Sequence, residues 1–79
     1  MKLLAVFATT SDVLLAEKIG KSFGGEVVAL PEELEAGCGM AYLIECESIK
    51  WLKDFFTSHK IRFENIYQVE IINKNIKLI

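Results

Sequence analysis

The first half of the chain changes from a continuous apolar run to a helical spacing of apolar residues. The run from Lys2 to Ala8 is almost entirely apolar, which is typical of a central strand that is covered on both faces. From Val13 to Phe23 the apolar residues recur every three or four positions, as on one face of a helix, and Gly24 and Gly25 then stop the helix. This half is therefore predicted to form a strand, a helix and a second strand over residues 26–30.

Three hydroxyl residues stand directly before this helical pattern. Thr9, Thr10 and Ser11 can each accept a hydrogen bond from the free amides at the start of a helix. Asp12 follows, and its negative charge interacts favourably with the positive end of the helix dipole. We therefore expect the first helix to begin at these residues.

The second half of the chain repeats this plan. The residues from Met40 to Cys46 show a period of two, which predicts a strand. A cap at Glu47 or Ser48 begins a second helix, which ends near His59 and carries its apolar side chains on one face. A last strand is predicted over residues 63–71.

The predicted elements follow the order β-α-β-β-α-β. This order predicts an α+β fold of the ferredoxin-like type, a two-layer sandwich in which two helices cover one face of an antiparallel sheet. An open α/β fragment and a swapped dimer are alternatives built from the same elements. Residues 1–71 form the predicted domain, and residues 72–79 form a C-terminal extension. Apolar residues alternate in this extension, so we expect an extra edge strand there.

Composition and charge narrow the possible functions. With 79 residues, of which 52% are hydrophobic, the chain is long enough for one core only. The formal net charge is -2, with acids and bases interspersed, so we expect no nucleic-acid partner. No apolar run approaches the roughly 20 residues of a membrane span, so we expect a cytoplasmic protein without a membrane partner. Two cysteines and one histidine cannot complete a four-ligand zinc site, and neither a metal nor a cofactor is expected.

The strongest chemical signal is Cys38, which has Gly37 before it and Gly39 after it. Glycine lacks a Cβ, so this triplet lets the chain turn sharply and leaves the sulfur uncrowded. An accessible thiol can attack an electrophile, whereas a packed one is inert. The alternative interpretation is a tight turn in which the cysteine is a small apolar filler.

The predicted topology brings other residues to Cys38. A right-handed crossover makes the first two strands parallel, so the turn before the first helix and the loop before the third strand share one end of the sheet. Thr9, Thr10 and Ser11 should therefore lie near Cys38, together with residues 59–60. The helix start would favour the anionic form of the thiol.

The same region resembles a known family. The chain is similar to the selenium/sulfur (Se/S) carrier-like domain family over about residues 3–70. Members are short bacterial and archaeal domains, some fused behind TusA-like domains, with a Cys-Gly pair after a Pro-x-x-Leu turn. The resemblance implies that Cys38 is the carrier position and Gly39 its partner, whereas residues 72–79 extend beyond the family's usual end. The segments that carry the resemblance are Leu4–Phe7, Asp12, Ala16–Lys18, Leu30–Leu34, Gly37–Ala41 and Ile66–Tyr67.

This resemblance implies a sulfur or selenium carrier. The thiolate of Cys38 would take the outer sulfur of a donor persulfide, hold it as a persulfide or selenosulfide, and pass it to an acceptor. Donor and acceptor proteins are the expected partners. No base or oxyanion site accompanies the thiol in the sequence, so we do not expect a stand-alone enzyme.

The alternative function is a small protein-binding or oligomerisation module with a redox-sensitive cysteine. The first strand is apolar on both faces, with Leu4 and Val6 opposite Ala5 and Phe7. Two helices on one side of a sheet cannot cover its other face. The uncovered face therefore predicts a homodimer that forms sheet to sheet.

Overall fold

The structure, a computed structural model, describes residues 1–35 and 37–79. Ala36, in the predicted loop before Cys38, lies outside the described residues. The described part contains two α-helices and five β-strands. The strands are β1 (Lys2–Val6), β2 (Glu26–Ala29), β3 (Met40–Glu45), β4 (Asn65–Ile72) and β5 (Asn75–Leu78), and the helices are α1 (Thr10–Gly20) and α2 (Ile49–Ser58).

The strands form one curled sheet in the order β2-β3-β1-β4-β5, and every neighbouring pair is antiparallel. Ala5 of β1 lies opposite Tyr42 of β3 and Ile66 of β4. The predicted α+β fold is confirmed, and the order of the first four strands is compatible with the ferredoxin-like plan. The expected extra C-terminal strand is β5, which pairs with β4 of its own sheet.

Both helices begin at a side-chain cap. Thr9 accepts a hydrogen bond from the Asp12 amide, and Ser48 accepts one from the Trp51 amide at 3.0 Å. Of the two predicted caps of α2, Ser48 is therefore the one used. A 3-10 turn over Lys21–Phe23 continues α1 and ends at Gly24, whose φ of 83° is in the left-handed region that favours glycine.

The first face of the sheet packs against both helices. Side chains at alternate positions of an extended chain face the same side, so Leu3 and Ala5 of β1 and Phe7 directly after it meet the helices together. These three residues are fully buried. From the helices the cluster receives Val13, Ala16, Leu52, Phe55 and Phe56. Burial of each large apolar side chain contributes about 1.5–3 kcal/mol, so this cluster is the main core.

The second face of the sheet is covered as well. Leu4 and Ala41 are fully buried and Val6 is 2% exposed. The covering side chains come from the turn after β2 and from the last two strands: Leu30, Leu34, Tyr67, Val69 and Ile76. The expectation of an uncovered apolar face is therefore wrong, because the chain supplies its own cover. The homodimer stays a prediction, but this face no longer supports it.

The hairpin of β4 and β5 provides much of this cover. Asn73 and Lys74 form its turn with φ values of 50° and 68°, as in the two-residue turns that favour a β-hairpin. Ile71 lies opposite Ile76, and Val69 lies opposite Leu78, so these four side chains share one face of the hairpin. Val69 and Ile76 pack into the cluster on the second face of the sheet.

Deletion of residues 73–79 should lower the melting temperature. The truncated chain lacks β5 and the Ile76 contact, so part of the second face meets water. In a domain of this size, a loss of 1 kcal/mol lowers the melting temperature by about 4–8 °C. Thermal melts followed by circular dichroism test this, with the exposed Lys77→Ala variant as the control. An unchanged melting temperature in the truncated chain would show that the hairpin contributes nothing to stability.

Tyr42 carries a buried polar group with no partner. Its side chain is fully buried, and its hydroxyl has no hydrogen-bond partner among the described residues. The hydroxyl lies against Gly20 and Gly25, where a Cβ would overlap it. Burial raises the pKa of the Tyr42 phenol above its ordinary value, and the negative charge of Glu17 raises it further.

Tyr42→Phe should leave the free energy of unfolding unchanged or raise it by up to about 1 kcal/mol, because it removes an unpaired buried hydroxyl and keeps the ring.

The raised pKa of Tyr42 also affects stability at alkaline pH. Above pH about 10 the folded chain keeps the phenolic proton that the unfolded chain loses, so wild-type stability falls there as pH rises. The variant should lose this part of the alkaline decline. Urea unfolding at neutral and alkaline pH measures both effects, with Tyr67→Phe as the control. A large neutral-pH loss in Tyr42→Phe alone would contradict the assignment.

Candidate functional site

Cys38 lies at the end of β1. Its backbone N–H donates a hydrogen bond to the carbonyl oxygen of Phe7 at 3.3 Å. Its Sγ lies 3.7 Å from Oγ1 of Thr10, the first residue of α1, and either atom can be the donor. The predicted meeting of the start of α1 with the loop before β3 is therefore confirmed. β1 ends earlier than predicted, at Val6, because the Phe7 carbonyl bonds to Cys38 outside the strand ladder.

The thiol is buried, which corrects the expectation of an uncrowded sulfur. Cys38 is 3% exposed and belongs to the cluster between the sheet and the helices. The reason is the bond to the Phe7 carbonyl, which draws the backbone of Cys38 against the end of β1. Its side chain then lies under the first turn of α1, a position that the local sequence does not reveal.

The two glycines beside Cys38 differ. A Cβ at Gly37 would overlap the carbonyl oxygen of Ala8, so this position needs glycine for a close backbone approach. A Cβ at Gly39 would meet no atom within 4 Å. Gly37 therefore allows the loop to pack against the end of β1, whereas the position of Gly39 has room for a side chain.

The three predicted hydroxyl residues occupy different places. Thr9 caps α1: its Oγ1 accepts from the Asp12 N–H at 3.2 Å and donates to Asp12 Oδ2 at 2.7 Å. Thr10 contacts the thiol. Ser11 lies in the first turn of α1 and is exposed. Only Thr10 therefore reaches Cys38 directly, while Thr9 fixes the helix start that positions Thr10.

The site includes residues that sequence analysis did not identify. A cavity of about 150 Å³ lies beside the start of α1, and Asp12, Arg62 and Glu64 contribute its charged groups. Arg62 Nε lies 3.9 Å from Asp12 Oδ1, and Glu64 Oε1 accepts a hydrogen bond from the Gly37 N–H at 3.3 Å. Arg62 and Glu64 stand immediately before β4, the neighbour of β1. Their place beside β4 is the signal that could have identified them from the sequence. Because the last strand was predicted to begin at residue 63, Glu64 was placed inside the strand and not at the site.

His59 lies apart from these contacts. Its Nδ1 is 2.9 Å from the Phe55 carbonyl oxygen, and its ring packs on the Phe55 ring with centroids 4.6 Å apart. Its ring therefore packs on the surface of α2, against Phe55.

The second cysteine, Cys46, lies at the other end of β3. Its Sγ donates to the Ser48 carbonyl oxygen at 3.6 Å, and burial raises the pKa of its thiol. A strand of the length of β3 spans about 20 Å, against a limit of about 7 Å between the Cα atoms of a disulfide. Both cysteines are free, so Cys38 has no disulfide partner within the described chain.

Within residues 1–35 and 37–79, no group of three or more histidine, cysteine, aspartate or glutamate side chains could hold a metal ion. No helix in the same ranges is both long enough and apolar enough to cross a membrane.

The arrangement places one sulfur against a hydroxyl at the start of a helix. The Cys38 thiol is buried and lies within hydrogen-bond distance of Thr10 Oγ1, and either atom can be the donor. The carboxylates of Asp12 and Glu64 line the neighbouring cavity. Chemically, the site offers one thiol with a hydroxyl beside it.

Gly37→Ala and Gly39→Ala form a matched pair. Gly37→Ala should destabilise the fold by about 1–3 kcal/mol, because its Cβ must displace the Ala8 backbone. Gly39→Ala should change stability by less than about 0.5 kcal/mol, since its Cβ enters open space. Urea unfolding of the two variants measures the difference, and equal effects would contradict this packing.

Comparison with known proteins identifies a family. A sequence model of the family described as "Putative Se/S carrier protein-like" matches residues 2–68. Searches of the curated proteins and of the solved structures each found no match. The matched segment runs from β1 into β4 and includes Cys38, whereas the hairpin turn and β5 lie beyond it. Because the match spans most of the chain, the protein belongs to the Se/S carrier-like family.

Proposed function

We propose that this protein carries sulfur or selenium as a persulfide or selenosulfide on Cys38. The observation that supports this proposal most is the contact of the Cys38 sulfur with Thr10 at the start of α1. A hydroxyl and the positive end of a helix are both suited to stabilise an anionic sulfur. The name of the family points to the same chemistry.

The transfer is a thiol exchange that balances without an added oxidant. The Cys38 thiolate attacks the outer sulfur of a donor persulfide, so that a new S–S bond forms on Sγ. The S–S bond of the donor breaks, and the donor sulfur leaves as a thiolate that takes up a proton. An acceptor thiolate then attacks the outer sulfur of the Cys38 persulfide and regenerates the Cys38 thiolate.

Each surrounding residue has a role in this proposal. Thr10 donates its hydroxyl hydrogen to the charged sulfur, and Thr9 holds the helix start in place. Gly37 lets the loop pack against β1, and Gly39 follows the thiol at a position with room for a side chain. Ser11 is exposed on the same helix turn, where it can contact a donor or acceptor protein.

Intact mass spectrometry tests the proposal. After incubation with a cysteine desulfurase and L-cysteine, the wild-type chain should gain the mass of one sulfur atom, and a reducing thiol should remove it. Cys46→Ser should load as the wild type does, since Cys46 lies at the other end of β3. Cys38→Ser should gain nothing. If Cys38→Ser loads as the wild type does, or if no variant loads, Cys38 is not the carrier.

A protein-binding module is the alternative function, and one observation favours it. Exposed apolar side chains lie on both faces of the β4–β5 hairpin: Ile71 and Leu78, on one face, are 41% and 38% exposed, and Ile72, on the other, is 45% exposed. A group of this kind is typical of a surface that contacts other proteins. The absence of sulfur on every variant in the loading experiment would favour this alternative.

A further inference from the structure

Two segments of the site attach to consecutive carbonyls of one strand end. The Glu64 N–H donates to the Val6 carbonyl oxygen at 2.8 Å, and the Cys38 N–H donates to the Phe7 carbonyl oxygen at 3.3 Å. Successive carbonyls of an extended chain point to opposite sides. The end of β1 therefore holds the approach to β4 on one side and Cys38 on the other.

The side chain of Glu64 connects these two sides. Its Oε1 accepts the Gly37 N–H at 3.3 Å, and this amide belongs to the residue directly before Cys38. The Glu64 backbone is itself bonded to β1, which fixes the point from which this side chain reaches Gly37. Glu64 thus provides a side-chain link to the backbone beside the thiol.

The surroundings restrict how the thiol could become exposed. Cys38 is 3% exposed, and Gly37 lies tight against Ala8. The space beside Gly39 is open. A shift of the Cys38 backbone away from the end of β1 would bring the thiol toward the surface. The Gly37–Glu64 and Cys38–Phe7 hydrogen bonds both oppose this shift.

We propose that Glu64 is a positioning residue that keeps the Cys38 thiol turned into the core. Since a carrier must present its sulfur to another protein, this inference rests on the proposed function. The hydrogen bond from Gly37 then regulates how often the sulfur is exposed. It is the carboxylate as an acceptor, and not its charge, that has this effect.

Alkylation of Cys38 by iodoacetamide tests this role in a Cys46→Ser background. A hydrogen bond of this kind changes an equilibrium by about two- to tenfold, so Glu64→Ala should raise the alkylation rate by that factor. Glu64→Gln keeps an acceptor oxygen without the charge, and its rate should stay within about twofold of the parent. Glu70→Ala, an exposed glutamate of β4, is the matched control and should leave the rate unchanged.

Two results of the Cys38 alkylation would overturn the role of Glu64. One is an unchanged rate in Glu64→Ala. The other is a rate in Glu64→Gln as high as in Glu64→Ala, since the negative charge would then be the cause. Alkylation of Cys46, measured in Cys38→Ser with and without Glu64→Ala, detects general loosening of the fold. An equal rise at Cys46 would likewise overturn the assignment.

Sulfur loading of the same variants separates this inference from the proposed function. If Glu64→Ala speeds alkylation but no variant accepts sulfur, the carrier function fails and the positioning of the thiol stands. If sulfur loads on Cys38 but Glu64→Ala leaves alkylation unchanged, the carrier function stands and the role of Glu64 fails.

Discussion

Burial of β1 on both faces is the constraint on which the rest of this structure depends. Leu3, Ala5 and Phe7 need cover on one side, while Leu4 and Val6 need it on the other. Two helices provide the first cover. The second comes from the turn after β2 and from the β4–β5 hairpin, so a small chain covers both faces of its central strand without a second layer of helices. The stabilising gain comes from apolar area removed from water on both sides of one sheet.

The same strand organises the candidate site. Its end supplies the carbonyls that hold Cys38 and Glu64, and the chain continues from it through Ala8 into the cap of α1. The close approach of Gly37 to Ala8 brings the thiol under the first helical turn. The burial of the sulfur and its contact with Thr10 therefore have one structural origin, which is how the loop before β3 attaches to β1.

The family match and the structure divide the chain at different points. The match ends at residue 68, in the middle of β4, whereas β4 continues to Ile72 and pairs with β5. Val69 and Ile76, both beyond the match, pack against the second face. The predicted boundary at residue 71 also falls inside β4, so the extension continues the sheet. In this protein, residues beyond the family's segment help to cover the core that the family's segment forms.

The sequence by itself determined the elements, their order and the end of the sheet at which Cys38 lies. Periodicity, caps and glycine stops are local signals, and the handedness of crossovers is general, so these predictions needed no knowledge of contacts. Only the tertiary structure decided the burial of Cys38, the cover of the second face and the bond from Gly37 to Glu64. Each depends on how distant segments meet at β1: Glu64 is far from Gly37 along the chain, and Ile76 is far from Leu4. Such approaches follow from the curl of the sheet and the packing of its edges, which no local pattern encodes.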